Sequence, residues 1–294
     1  MSMGEFAMRL TTTTLKTLIL EVLSEERDLQ YVKEAKMEDL GDVCYIKGST
    51  HQLATCKIGD EKYYLKFSDS WAFSNPSDKS MQIGVEYLAY KIYQLYPANV
   101  PEGVEVVSDP DQKRIGIATS EMKGQAAGGL RYSFPAKNWV SSISGGAMVD
   151  IFLANWDVKN TNNFVVDTET AIASRVDPGG SLTFRAQGGR KGDRFSPQAG
   201  ELKTMMDPNM RGGAGWLLTQ VDMKKACEAF LSVSWPEVQR AIMVALGEVS
   251  RELKNAGLED QMMAWQDEVK QIMTKLETRH EDVKDHCEHA LSEM

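Results

Sequence analysis

The chain has 294 residues, 42% of them hydrophobic and 26% charged, the balance of an ordinary globular protein. No run approaches the ~18 consecutive apolar residues of a bilayer span, and the richest early stretch, residues 15–23, is broken by Lys16 and Glu21, so neither a span nor a signal peptide is expected. Thirty-three Lys+Arg against 42 Asp+Glu leave a net charge of −9, which argues against nucleic acid as the main partner.

Residues 5–38 carry Leu, Val and Met at helical spacing and predict one or two helices, with Leu15, Leu18, Leu20 and Leu23 on one face. The texture then changes to short β-branched, aromatic or alternating runs at 43–47, 52–58 and 62–67. Gly48-Ser49-Thr50 and Gly59-Asp60 separate them as turns, so an antiparallel meander is expected. A helix follows over 80–96, apolar at Val85, Leu88, Ala89, Ile92 and Leu95 and stopped by Pro97. Two more strands, 104–108 and 114–120, flank the turn Asp109-Pro110-Asp111.

Beyond residue 136 the pattern predicts a helix over 139–155, strands at 163–167 and 171–176, and a long aperiodic Gly/Arg segment over 179–215. Long loops in compact domains are often functional. From Trp216 onward the periodicity is helical, including 235–256 and 260–293, with Pro236 tolerated in a first helical turn after Ser234. Cys44, Cys56, Cys227 and Cys287 show no paired or metal-like spacing and read as free thiols of a reducing cytoplasm.

The chemistry concentrates in Asn155-Trp156-Asp157-Val158-Lys159-Asn160-Thr161-Asn162-Asn163, followed by Asp177-Pro178-Gly179-Gly180. Two carboxylates at loop ends with an amide between them suit a nucleotide–metal site: one handles a hydroxyl nucleophile while the other and the amide oxygen take Mg²⁺. This stretch resembles the protein-kinase-like superfamily. Asp157-Val-Lys159-Asn-Thr-Asn162 has the D-x-K-x-x-N spacing of its catalytic loop, and Asp177-Pro-Gly179 stands where that family has D-F-G.

The resemblance extends over residues 42–235. It implies that Lys66, in Tyr63-Tyr64-Leu65-Lys66-Phe67, pairs with Glu86 and holds the ATP phosphates. Gly48, Ser49 and Thr50 take the place of the glycine-rich loop, and Glu121 and Met122 that of the hinge facing adenine. Asp157 is implied as the group that accepts the hydroxyl proton, Lys159 as the stabiliser of phosphoryl charge, and Asp177 as a metal ligand. The amide ligand stays open: the D-x-x-x-x-N spacing slightly favours Asn162, whereas the register of the next strand selects Asn163.

Departures narrow the likeness. Asn155 replaces the usual histidine, Pro178 the D-F-G phenylalanine, one glycine remains in the phosphate loop, and no A-P-E follows. These fit the compact atypical kinases: HipA-type toxin kinases, the actin-fragmin kinase catalytic domain and small bacterial effector kinases.

The resemblance therefore implies an α+β, bilobal protein-kinase-like fold, a small antiparallel-sheet lobe with one helix and a larger helical lobe. The expected parts are an N-terminal helical extension (1–41), an N-lobe (42–124), a C-lobe core (125–235) and a C-terminal helical extension (236–294). It implies ATP with Mg²⁺ (or Mn²⁺) as cofactors and a Ser/Thr hydroxyl of a protein as acceptor. Effector kinases extend the cytoplasmic expectation to secretion into a host cell. AMP transfer or a lipid or small-molecule acceptor on the same fold is the alternative, as is a non-catalytic kinase-like binding module.

Taken singly, each residue has a plainer reading: a solvated strand lysine, an exposed helical glutamate, an ordinary Asp-Pro-Gly turn. Their order is what carries weight. Arg185, Arg190, Lys191 and Arg194 read equally as a substrate loop for an acidic or phosphorylated partner or as a solvated basic loop. His280, His286 and His289 near the end suggest a charged helix end rather than a metal site.

Overall fold

Strand-forming runs and their turns assemble into a five-stranded antiparallel sheet in the order β1-β2-β3-β5-β4. The strands are β1 (Tyr45–Lys47), β2 (Gln52–Ile58), β3 (Glu61–Phe67), β4 (Val104–Asp109) and β5 (Arg114–Ser120). The computed structural model describes residues 45–47, 52–58, 61–67, 76–130, 132–185, 188–207, 209 and 215–294. The helices expected over 5–38 and the loop residues Gly48, Ser49 and Thr50 lie outside them.

The β3–β5 register sets Lys66 opposite Ile117 in the middle of the sheet. Leu65, Phe67, Val107 and Ala118 form an apolar cluster there. Lys66 and Leu65 point to opposite faces because side chains alternate along a strand.

Helix α1 (Pro76–Tyr93) packs against β4 and β5. It begins four residues earlier than the apolar pattern suggests, at a proline whose fixed φ suits a first helical turn. It ends in tight turns, Leu95 N–H to Ile92 O at 3.1 Å and Tyr96 N–H to Tyr93 O at 3.0 Å, just before Pro97. Every residue from Ser80 to Tyr90 is buried, because helix α4 (Trp235–Asn255) covers its other side. Ser108 on β4 donates to Glu252 of α4 at 2.8 Å. The C-terminal helices are thus built into the same packed unit as the sheet.

The single helix expected over 139–155 is two 3₁₀ turns, Ala136–Asn138 and Val140–Ile143, followed by helix α2 (Ser144–Phe152). Serine explains the difference: Ser142 and Ser144 hydroxyls take the carbonyls of Trp139 at 2.7 Å and Ser141 at 2.9 Å, competing with a regular helical start. Gly146 permits close approach, since a Cβ there would stand 2.5 Å from the Arg175 guanidinium.

A second antiparallel sheet, β6-β7-β8, consists of Gln125–Ala126, Phe164–Asp167 and Ile172–Arg175. The two-residue β6 is too short for any sequence pattern. Helix α3 (Met223–Leu231) packs on α2, and helix α5 (Glu259–Ser292) on α3 and α4.

Arg279 of α5 is fully buried. Its guanidinium donates to Phe152 O (2.7 Å), Ile151 O (2.7 Å), Ser196 O (3.2 Å), Gln198 O (2.9 Å) and the Glu201 carboxylate (2.7 Å). The first two are carbonyls of the last turn of α2, where intrahelical partners run out. The described part is an α+β unit, as expected, and among the described residues no helix is long and apolar enough to cross a membrane.

Candidate active site

Lys66 lines a cavity of about 390 Å³ between the five-stranded sheet, α1 and the second sheet. Its ammonium lies 2.8 Å from Glu86 Oε2 and 2.6 Å from Asp177 Oδ1. Glu86 is 2% exposed and Asp177 55%, so the lysine bridges an interior carboxylate and one open to the cavity. Burial by itself would lower the Lys66 pKa, but the carboxylates of Asp177 and Glu86 outweigh it and keep the ammonium charged. Glu86 is pushed up by burial and held back mainly by Lys66.

Asp177 adopts a left-handed backbone, φ 53° and ψ 61°, a conformation aspartate tolerates better than most residues. Its N–H donates to the Tyr90 hydroxyl at 2.8 Å, one turn beyond Glu86 on α1. The sharp turn carries the chain into Pro178-Gly179-Gly180, a 3₁₀ turn. Gly180 then passes beneath Asp157: a Cβ on it would stand 2.2 Å from Asp157 Oδ2. The two aspartates of the sequence motif therefore share one location.

Asp157 lies on the 3₁₀ turn Trp156–Lys159 that follows α2. Asn155 shapes that turn. Its Oδ1 accepts from the Asp157 N–H at 3.2 Å, and its Nδ2 donates to the Tyr93 hydroxyl at 2.9 Å. Tyr93 in turn donates to Asp150 at 2.7 Å, and Asp150 is paired with Arg175 at 2.7 Å. This buried chain of bonds joins α1, which carries Glu86, to α2 and β8, which lead into the turns of Asp157 and Asp177. Burial raises the Asp157 pKa to about 6, helped by the Asp177 charge and opposed by Lys191, Lys66 and Lys159. Lys159 is exposed on the same turn.

The two asparagines differ in surroundings. Asn162 is exposed and lies beside Gly128, where a Cβ would stand 2.1 Å from its Oδ1. Asn163 donates to Asp157 O at 3.4 Å, and its own carbonyl accepts from Val176 N–H at 2.9 Å, adjacent to Asp177.

Ile117, Pro101, Ala126, Val165 and Val176 give the cavity apolar walls, and Glu121 and Met122 its rim. The Glu121 N–H donates to Lys62 O at 2.8 Å, while its carboxylate is taken by Lys62 and by the Tyr64 hydroxyl. The cavity thus combines apolar walls with a few charged groups, the composition of a small-molecule site.

The donor set suits a hard cation. Two aspartates and an amide offer only oxygen, the ligand type Mg²⁺ takes while keeping water and phosphate in its remaining positions. No group of three or more His, Cys, Asp or Glu able to hold a metal occurs among the described residues. His280 packs among Phe152, Phe230 and Trp235, away from any such cluster.

The basic segment divides in a way its composition conceals. Arg185 and Arg194 are exposed, whereas Arg190 pairs with Asp78 and Glu268, each at 2.8 Å. Lys191 is buried, and its ammonium donates to Ala154 O at 2.6 Å and Gly180 O at 2.7 Å. Neither sequence reading of this segment, substrate contact or solvated loop, describes Lys191. Nothing local marks it, since its neighbours are Arg190 and Gly192.

No family model matches the chain, and no curated protein does. Among solved structures, the crystal structure of a Helicobacter pylori proinflammatory kinase, CtkA, aligns at 11% identity with a TM-score of 0.34, covering 75% of this chain and 96% of that one. A likeness this slight carries no weight, and the functional case rests on the site's geometry.

Proposed function

We propose that the chain is an ATP- and Mg²⁺-dependent phosphotransferase of bilobal protein-kinase-like architecture, moving the γ-phosphoryl group to a Ser or Thr hydroxyl of a protein. The observation that carries this reading is Lys66 held between Glu86 and Asp177 in the wall of a largely apolar cavity. Residues 42–124 and 125–235 would be the two lobes, with the adenine ring between Ile117, Ala126, Val165 and Val176 and its edge at Glu121 and Met122.

In this reading Lys66 holds the phosphates while Glu86 fixes the lysine. Asp157 orients the acceptor hydroxyl and takes its proton, for which a raised pKa is an advantage. Lys159, on the same turn and in contact with solvent, is placed to meet charge on the transferring group. Asp177 and Asn163 or Asn162 would hold Mg²⁺. The contacts of Asn163 with Asp157 and Val176 favour it over Asn162. Bound there, the ion supplies positive charge to the phosphate oxygens. Positioning and electrostatics do most of the work in such chemistry.

The test is Asp177→Ala, with circular dichroism to verify folding and calorimetry with Mg²⁺·ATP. Loss of binding or transfer is expected, and full activity overturns the proposal. ATP labelled at the γ or the α position distinguishes phosphoryl from AMP transfer. Absence of any nucleotide-dependent thermal shift in the unaltered protein would favour a non-catalytic module.

A further inference from the structure

Beyond Asp177 the chain forms a short hairpin that is pinned on both sides. Lys191 N–H donates to Thr183 O at 2.7 Å, Arg185 N–H to Gly189 O at 2.8 Å, and Phe184 bridges to Arg190. Outward, Arg190 grips Asp78 at the start of α1 and Glu268 of α5, and the Thr183 hydroxyl reaches Glu268 at 2.6 Å. Inward, Lys191 inserts a 7% exposed side chain beneath the site.

Its two acceptors come from different pieces of chain. Ala154 precedes Asp157 by three residues, and Gly180 follows Asp177 by three. Ala154 has φ 52°, a left-handed backbone that alanine holds only where its surroundings enforce it. A carbonyl turned by that strain and gripped at 2.6 Å has one direction available.

We propose that Lys191 is a positioning residue of the site: its ammonium ties the turn that carries Asp157 to the turn that carries Asp177, so that two carboxylates from separate elements keep one spacing. This rests on the phosphotransferase reading for its consequence, though the tie itself does not.

An apolar residue would fill the same space without the cost of desolvating a cation, so packing alone does not account for a lysine here. The charged groups that act on it are Glu201, Arg279, Asp157 and Arg185. Burial lowers its pKa to about 7, with Glu201 and Asp157 opposing and Arg279 and Arg185 assisting. In return, among the cations that hold the Asp157 pKa down, Lys191 ranks ahead of Lys66 and Lys159. Through its two bonds Lys191 fixes where Asp157 stands relative to Asp177.

The test is Lys191→Met, which keeps the chain length and apolar stem. We expect the Kd for Mg²⁺·ATP within about threefold of the unaltered protein and turnover of ATP with water as acceptor reduced at least about tenfold, with the Asp157–Asp177 spacing altered in a crystal structure of the variant. A purely structural lysine would lower stability and leave that spacing and the turnover of the folded protein in place. Unchanged turnover or an unchanged Asp157–Asp177 spacing overturns the proposal. Should Lys191→Met fail to fold, Lys191→Gln, too short to hold both carbonyls, is read by the same two measurements. If the unaltered protein binds no Mg²⁺·ATP, the phosphotransferase reading fails, while the spacing in the variant still settles the tie.

Discussion

Gly180 lies under the carboxylate of Asp157, so near that a methyl group in its place would stand 2.2 Å from Oδ2. The neighbouring Gly179 is close to the other carboxylates, with a Cβ 2.9 Å from Glu86 Oε2 and 3.2 Å from Asp177 Oδ1. The Asp-Pro-Gly-Gly turn thus serves as a floor on which three acidic side chains rest. Gly180→Ala is expected to displace Asp157 and cut phosphoryl transfer by about 100-fold, the scale of a mispositioned reacting group. Stability should fall by about 1–3 kcal/mol through overpacking. Single-turnover kinetics beside urea unfolding check both, and an active variant would show that Asp157 does not need this placement.

Lys66 separates two carboxylates that would otherwise face one another. In Lys66→Met, Glu86 loses the partner that holds its already raised pKa down. A carboxyl whose folded pKa is raised supports the fold at low pH and loses that contribution as pH rises through the folded value. The variant should therefore be relatively more stable at pH 5 than at pH 8, and should bind Mg²⁺·ATP at least about tenfold more weakly, one lost charge-assisted contact. Thermal melts across that range and calorimetry are the measurements. A variant with unaltered nucleotide affinity removes Lys66 from the proposed role.

Asp157 must be ionised to accept a proton, and its pKa lies at about 6. Turnover is expected to rise through pH 6 and level off above it, an acid limb that Asp157→Asn eliminates along with at least about 100-fold in rate. Linkage runs the opposite way for folding. The raised pKa stabilises the protein below the ordinary carboxylate range and loses its contribution as pH rises through 6, so Asp157→Asn should melt higher than the unaltered protein at pH 8. A rate profile flat between pH 5 and 8 would contradict the assignment of Asp157 as the base.

Arg279 spends all five of its N–H groups on protein acceptors, among them the last carbonyls of the helix leading into Asp157. Arg279→Met leaves Glu201 buried and unpaired, a loss of about 3–5 kcal/mol for such a broken pair. Arg279→Lys should restore little, since an ammonium cannot reproduce the planar fork. Denaturant midpoints test this, and a midpoint within error of the unaltered protein would mean that α5 contributes no anchor to α2.

Periodicity and order in the chain determined a good deal. Alternating runs and turn residues foretold the meander of β1, β2 and β3 and the two strands that follow, because pairing between close segments is a local matter, whereas the insertion of β5 between β3 and β4 is decided by packing. The Asp157 and Asp177 motifs stood out because backbone turns require particular residues at particular steps. Lys66, Glu86, Asp157 and Asp177, implied by the resemblance of the motifs and their order, are brought together in the structure.

Tertiary structure decided what sequence spacing leaves open. Asn162 and Asn163 are adjacent and chemically identical, and only their neighbours, Gly128 for one and Asp157 with Val176 for the other, tell them apart. Arg190 and Lys191 read as one basic patch, yet one reaches outward to acidic helices and the other inward to two carbonyls. Arg279, which no sequence pattern singles out, is wholly enclosed, 127 residues from the Phe152 carbonyl it holds. The reason is common to all three. A side chain's type sets which bonds it can make, whereas desolvation and partners supplied by distant segments set which bonds it does make, and those exist only once the chain has packed.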